Sequence, residues 1–151
     1  MNPDIQDVDS LPQTLIAGGQ NLAAHVGLSP NALKVVYATA VGHLEAGRLE
    51  AAAAGAFQLV SLDPRSEDHW ALYGNALMKL GRFAEAVTAW EMAMACVPRF
   101  ATAVTVARTA IAIGKLDNAA EALLMARSLR RTPAHEAELD ALIEAWYAAR
   151  G

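Results

Sequence analysis

Four histidines, one cysteine and 16 acidic residues are the side chains of this chain best suited to chemistry. Their spacing sets none of them up for it. His25, His43, His69 and His135 fall on separate segments with no metal-ligand spacing between them, so each reads as a surface or packing residue. Cys96 sits among apolar neighbours near the end of a helical stretch and reads as a small buried hydrophobe, not a nucleophile. A lone cysteine also excludes an internal disulfide framework and fits a reducing compartment. No HExxH, CxxC, GxSxG or Walker phrase occurs. The expectation is a protein with no catalytic residue, no metal and no cofactor, whose chemistry is the binding of another molecule.

The elements that would position a binding surface are legible as a repeat. Gly47, Gly81 and Gly114 stand at intervals of 34 and 33 residues, in the phrases AGRLEAA, LGRFAEA and IGKLDNA. Ala52, Ala86 and Ala119 keep the same frame, as do Ala40, Gly74 and Ala107. In the clearest copy, His69 to Pro98, the residues Trp70, Gly74, Gly81, Ala86, Trp90, Ala93 and Pro98 occupy the offsets of a tetratricopeptide repeat, a 34-residue antiparallel helix pair. Gly74 and Ala86 are small where the paired helices cross, and Trp70 and Trp90 supply the bulk beside that crossing. Gly81 falls where a helix ends and the chain turns. Pro64 and Pro98 stop the second helix of their pairs, and Ser66-Glu67-Asp68 supplies a cap and first-turn acids for the next helix.

The fold class is therefore all-α: three helix pairs at about 33–64, 67–98 and 100–131, within a unit spanning 31–151. In the first pair Phe57 comes one position late relative to Trp90; in the third, Leu123 stands where Trp90 does. Thr132 as N-cap, Pro133 at the first helical position and the stripe Leu139, Leu142, Ile143 and Trp146 predict a capping helix over 132–149. Residues 1–30 form an arm, helical around Leu11, Leu15, Ile16 and Leu22 and interrupted at Gly18-Gly19, each glycine costing about 1 kcal/mol relative to alanine. Gly27-Leu28-Ser29-Pro30-Asn31 reads as a capped loop leading into the first pair. Arg127, Arg130 and Arg131 read as helix-end charge that complements a dipole.

Composition narrows the partner. Hydrophobic residues make up 54% of the 151 and aromatics only 6%, which suits closely packed helices. A formal charge of −4 argues against nucleic acid. No lysine or arginine precedes Lys34, so a secretory signal peptide is not expected, and no stretch reaches the length of a membrane span.

In helix pairs of this kind the first helix lines the concave face, and positions spaced four then three apart point into it. That selects Tyr37, Val41 and Leu44, then Ala71, Asn75 and Met78, then Val104, Arg108 and Ile111. The set is mostly apolar. Its apolar members admit two readings, groove lining or helix–helix core. Asn75 and Arg108 are expected to be exposed, because unpaired burial costs a few kcal/mol, and each could hydrogen-bond the main chain of an extended peptide. The lysine–asparagine–arginine clamp of repeat proteins that grip acidic chaperone tails is missing: Tyr37, Val41, Leu72, Ala101 and Thr105 stand at its positions.

Two consecutive phrases go beyond a generic repeat. AGGQNLAAHVGLSPNALKVVYATAVGHLEAGRLEAA joins the Gly18-Gly19 pair, the Ser-Pro-Asn cap, Tyr37 and Ala40 in one register, and AFQLVSLDPRSEDHWALYGNALMKLGRFAEAVTAWEMA follows after Ala53, Ala54 and Gly55. Together they resemble the class II chaperones of bacterial type III secretion, over about Leu15 to Ala126. The resemblance implies a cytoplasmic chaperone that lays an extended segment of the pore-forming translocators in its concave groove and keeps them soluble, separate and export-competent. It implies that Tyr37 is the groove tyrosine; Val41 and Leu44 replace residues that are often aromatic in the family. It also implies a homodimer contact through the arm at Leu15, Ile16 and Leu22, with no membrane insertion and no nucleic acid. The alternative carried by the periodicity alone is a general tetratricopeptide scaffold or assembly factor with another protein client.

Overall fold

A computed structural model describes Ala23, residues 26–129 and residues 132–151. Leu15, Ile16 and Leu22, the Gly18-Gly19 pair, His25, Arg130 and Arg131 lie outside the described residues. Among the described residues seven full helices follow one another: α1 (Pro30–Glu45), α2 (Leu49–Leu62), α3 (Glu67–Lys79), α4 (Phe83–Cys96), α5 (Phe100–Ala112), α6 (Leu116–Ser128) and α7 (Pro133–Arg150). Each helix packs on its successor, so α1/α2, α3/α4 and α5/α6 form three antiparallel pairs. Helix α7 packs on both α6 and α5.

The glycine frame of the sequence corresponds to one backbone device used three times. Gly47, Gly81 and Gly114 have φ of 74°, 77° and 74°, the left-handed conformation that side chains resist. One residue further on, the backbone N–H of Arg48, Arg82 and Lys115 donates back to the carbonyls of His43, Leu77 and Ala110, at 2.9, 2.9 and 2.8 Å. This 6→1 bond satisfies a carbonyl that the helix end would leave unpaired. The same closure stands ahead of the first pair, where Leu28 N–H reaches the Ala23 carbonyl around Gly27. Helix α1 begins at Pro30, earlier than the repeat offsets suggest, because the Ser29 hydroxyl caps it by accepting from Ala32 N–H. Ser66 caps α3 in the same way. Thr132 caps α7, and His135 returns the bond to the Thr132 N–H in a capping box.

Within the second pair the helices meet at Gly74. A Cβ built there would lie 2.5 Å from Trp90 Nε1 and 2.6 Å from its Cδ1, so the indole fills the space that alanine would need. Trp90 and Ala86 are both buried. The first pair closes differently: Ala56 holds the position equivalent to Trp90, and Gly55 faces Ala40, whose Cβ lies 3.0 Å from where a Cβ at 55 would be. Phe57 therefore points outward, 58% exposed, with its ring 5.9 Å from that of Tyr73.

The core has two main parts. The larger runs through α3–α7, with Leu77, Val87, Val106 and Leu139 among its fully buried side chains. The smaller gathers Leu33, Ala40, Ala56, Leu59 and Leu72 around the first pair, and Tyr73 packs against both. Glu67 forms an ion pair with Arg99 between the start of α3 and the residue preceding α5. Helix α7 is tied down by the Trp146 indole, which donates to the Leu116 carbonyl at 2.9 Å.

The Gly74–Trp90 contact predicts that Gly74→Ala lowers stability by about 1–3 kcal/mol in urea unfolding, through overpacking that outweighs the gain in helix propensity. The Trp90 indole nitrogen has no hydrogen-bond partner among the described residues. Gly74→Ala combined with Trp90→Leu, the Ala107/Leu123 combination of the third pair, is therefore expected to be less destabilised than the sum of the two single variants. For Trp146→Phe the expected loss is about 1 kcal/mol, the net worth of one intramolecular hydrogen bond, read from the same unfolding curves.

Candidate peptide-binding groove

The nine positions that the repeat register assigns to the concave face do not share one environment. Asn75 and Met78 on α3 are exposed and Ala71 is half-buried. Asn75 has no hydrogen-bond partner among the described residues, so its amide is available to a ligand. Tyr37, Val41 and Leu44 on α1 are half-buried: they pack against the first-pair core and keep part of their surface outside it. Part of each side chain is thus core and part faces solvent.

The third helix pair departs from the expectation. Val104 is only 4% exposed and belongs to the core, so it is not a groove-lining residue. Ile111 is half-buried against the same core. Arg108 is exposed, as expected, but its guanidinium is engaged with Glu138 of α7 at 2.7 Å. The physical reason is that α7 behaves as the first helix of a fourth pair. It packs along α5, stacks His135 on Phe100 at 4.2 Å between ring centroids, and faces Glu138 toward Arg108. Continuing the sequence frame by 34 residues from Val104 lands on Glu138, a signal that treating 132–149 only as a cap overlooks. Leu72, counted among the clamp positions, is likewise buried in the core.

At the other end the groove deepens into a cleft of about 410 Å³ between the start of α1 and the α2–α3 junction. Ala23, Leu28 and Leu33 line it on the α1 side, and Tyr37 and His69 meet across it with ring centroids 6.0 Å apart. Burial, and secondarily the charge of Asp68, push the Tyr37 phenol above its ordinary pKa, so Tyr37 is a neutral hydroxyl at physiological pH. His69 is 8% exposed, and its Nδ1 lies 3.4 Å from the Asp63 carbonyl. Residue type and spacing alone made His69 one of four unremarkable histidines; the clue available was its place three residues after the Ser66 cap, where a helix turns its first side chains inward.

No group of three metal-ligating side chains gathers among the described residues. Cys96 is partly buried, less so than its apolar neighbours suggest. Its Sγ lies 3.6 Å from the Pro64 carbonyl, and burial pushes the thiol up, away from the reactive thiolate. Among the described residues no helix is long and apolar enough to cross a membrane.

Solved structures of the same fold include those of type III secretion proteins. PcrH of Pseudomonas aeruginosa, in complex with the chaperone-binding region of PopD, superposes with a TM-score of 0.65 at 24% identity, over 82% of this chain and 95% of that one. The Yersinia enterocolitica chaperone SycD, in complex with a peptide of the translocator YopD, gives 0.65 at 17% identity, over 81% and 95%. A type III secretion complex from Aeromonas hydrophila gives 0.72 at 17% identity, over 93% and 95%. These likenesses establish the fold, a tetratricopeptide-type helical solenoid. No curated protein matches the sequence. A family model described as the bacterial transcriptional activator domain matches residues 11–97. That stretch is more than half of the chain, and the protein belongs to the bacterial transcriptional activator domain family.

Proposed function

We propose that the protein is a cytoplasmic chaperone of bacterial type III secretion that holds an extended segment of a translocator in its concave groove, without catalysis. The observation that carries this reading is the state of the groove. Tyr37 on α1 and Ala71 and Asn75 on α3 each keep surface open to solvent, part apolar and part polar, with the Asn75 amide uncommitted. An extended segment places alternate side chains toward such a surface and leaves main-chain groups for Asn75 to satisfy. Apolar client segments left in water would aggregate, and burial against the groove prevents that. The likeness to PcrH and SycD, both solved with translocator segments bound, supports the same client class.

Because Arg108 is engaged with Glu138 and Val104 is buried, the active part of the groove is its α1–α3 half. The arm contact at Leu15, Ile16 and Leu22 remains part of the proposal as a route to a homodimer. A second reading, a general protein-binding repeat module with another client, is favoured by the family match over 11–97.

Co-expression with the translocators of the host's type III system tests the proposal. The wild-type chain is expected to co-purify with a translocator. Ala71→Glu is expected to lose at least about 90% of that partner, since a carboxylate buried without a partner costs several kcal/mol, and Asn75→Ala to lose part of it. Circular dichroism should be unchanged in both. Full retention of the translocator by Ala71→Glu would rule out this groove, and capture of an unrelated client in place of translocators would favour the second reading.

A further inference from the structure

The cleft at the α1 end of the groove has a chemical bias that an aliphatic client segment does not explain. His69 is the starting point. A backbone carbonyl only accepts, so the Nδ1 that faces the Asp63 carbonyl carries the ring proton. Nε2 has no partner among the described residues although the residue is more than nine-tenths buried. Beside it the cleft is lined by two acidic residues, half-buried Asp63 and exposed Asp68. One Asp63 oxygen is 3.4 Å from the Arg65 N–H, and no hydrogen bond or ion pair from another described side chain reaches either carboxylate. Lys34 is the single cation among the described lining residues, against two carboxylates.

A buried ring nitrogen without a partner costs free energy until a ligand supplies one, and the two carboxylates beside it only accept. An acceptor-rich cleft therefore selects a donor. The three groups do not gather into a metal site, which leaves an organic cation. The opposite wall is apolar, Leu28 and Leu33, and suits the methylene stem of a long side chain. At about 410 Å³ the cleft falls within the range of ~300–1,000 Å³ common for ligand pockets.

We propose that this cleft receives a lysine or arginine side chain of the client segment, with its stem along Leu28 and Leu33 and its charged end among Asp63, Asp68 and His69. The inference rests on the groove reading above and adds a specificity to it: clients are chosen for a basic residue as well as for apolar ones. Tyr37, a neutral hydroxyl, lines the same cleft.

Fluorescence anisotropy with labelled synthetic peptides on the full chain tests it. The probes are Ala-Pro-Val-Leu-X-Ala-Pro-Leu with X as lysine or as norleucine, which keeps the stem and removes the charge. The lysine peptide is expected to bind about tenfold more tightly at low salt, the margin of a charge-assisted contact, and to lose most of that margin at 0.5 M salt. In Asp63→Asn/Asp68→Asn the preference should fall to less than about threefold with helicity unchanged, and binding of the norleucine peptide should stay as in the wild type. Equal binding of both peptides by the wild type would overturn the cation site and leave the groove standing. Failure of both peptides to bind would overturn the groove reading as well. A lysine preference that survives in the double variant would overturn the assignment to these carboxylates.

Discussion

The close approach of two helices within each pair is the constraint on which the rest of this molecule depends. It needs a small residue at one point of the first helix and a matched volume opposite, and the three pairs meet it with different residues. Gly74 receives the Trp90 indole; the first pair sets Ala40 beside Gly55, with Ala56 where the indole would be; the third uses Ala107 and Leu123 at the equivalent positions. Interiors packed to crystal-like density leave no room to exchange one member alone. Once the pair is closed, the residues four and three apart on its first helix are fixed in direction, and the concave surface follows.

The same constraint explains why the groove is uneven. Each first helix buries its small-residue face against its partner and presents the next face to the concave side, but a following first helix can cover that face. Helix α7 does this to α5, through the Phe100–His135 stack and the Arg108–Glu138 pair, and Val104 is sealed into the core beside them. Helices α1 and α3 keep Tyr37, Ala71, Asn75 and Met78 at least partly open to solvent. The cleft arises where the α2–α3 junction, shaped by the Ser66 cap and Pro64, brings Asp63, Asp68 and His69 up to the start of α1. The positions left open are thus concentrated in the first half of the solenoid by the way its last helix docks.

Much of this was legible in the residues. Gly47, Gly81 and Gly114 mark their turns without ambiguity, since a left-handed backbone at a helix end is a local requirement that one residue type meets best. The caps at Ser29, Ser66 and Thr132 are local in the same sense. What could not be read was which concave positions stay open, because exposure of Val104 or Arg108 depends on a helix some 30 residues away. His69 is the packing histidine of the four, and the ring beside it, Tyr37 at 6.0 Å between centroids, belongs to another helix. Phe57 shows the converse, an aromatic one place out of frame that the structure turns outward.

The central claim, that the open α1–α3 half of the concave face holds the client, is tested most directly by site-specific photo-crosslinking. Benzoylphenylalanine would be placed at Asn75 on the concave face or at Met92, an exposed position on α4, in chains co-expressed with the host's translocators. The account predicts a covalent translocator adduct from position 75 and none from position 92. An adduct from position 92 alone, in a complex that is otherwise intact, would contradict it.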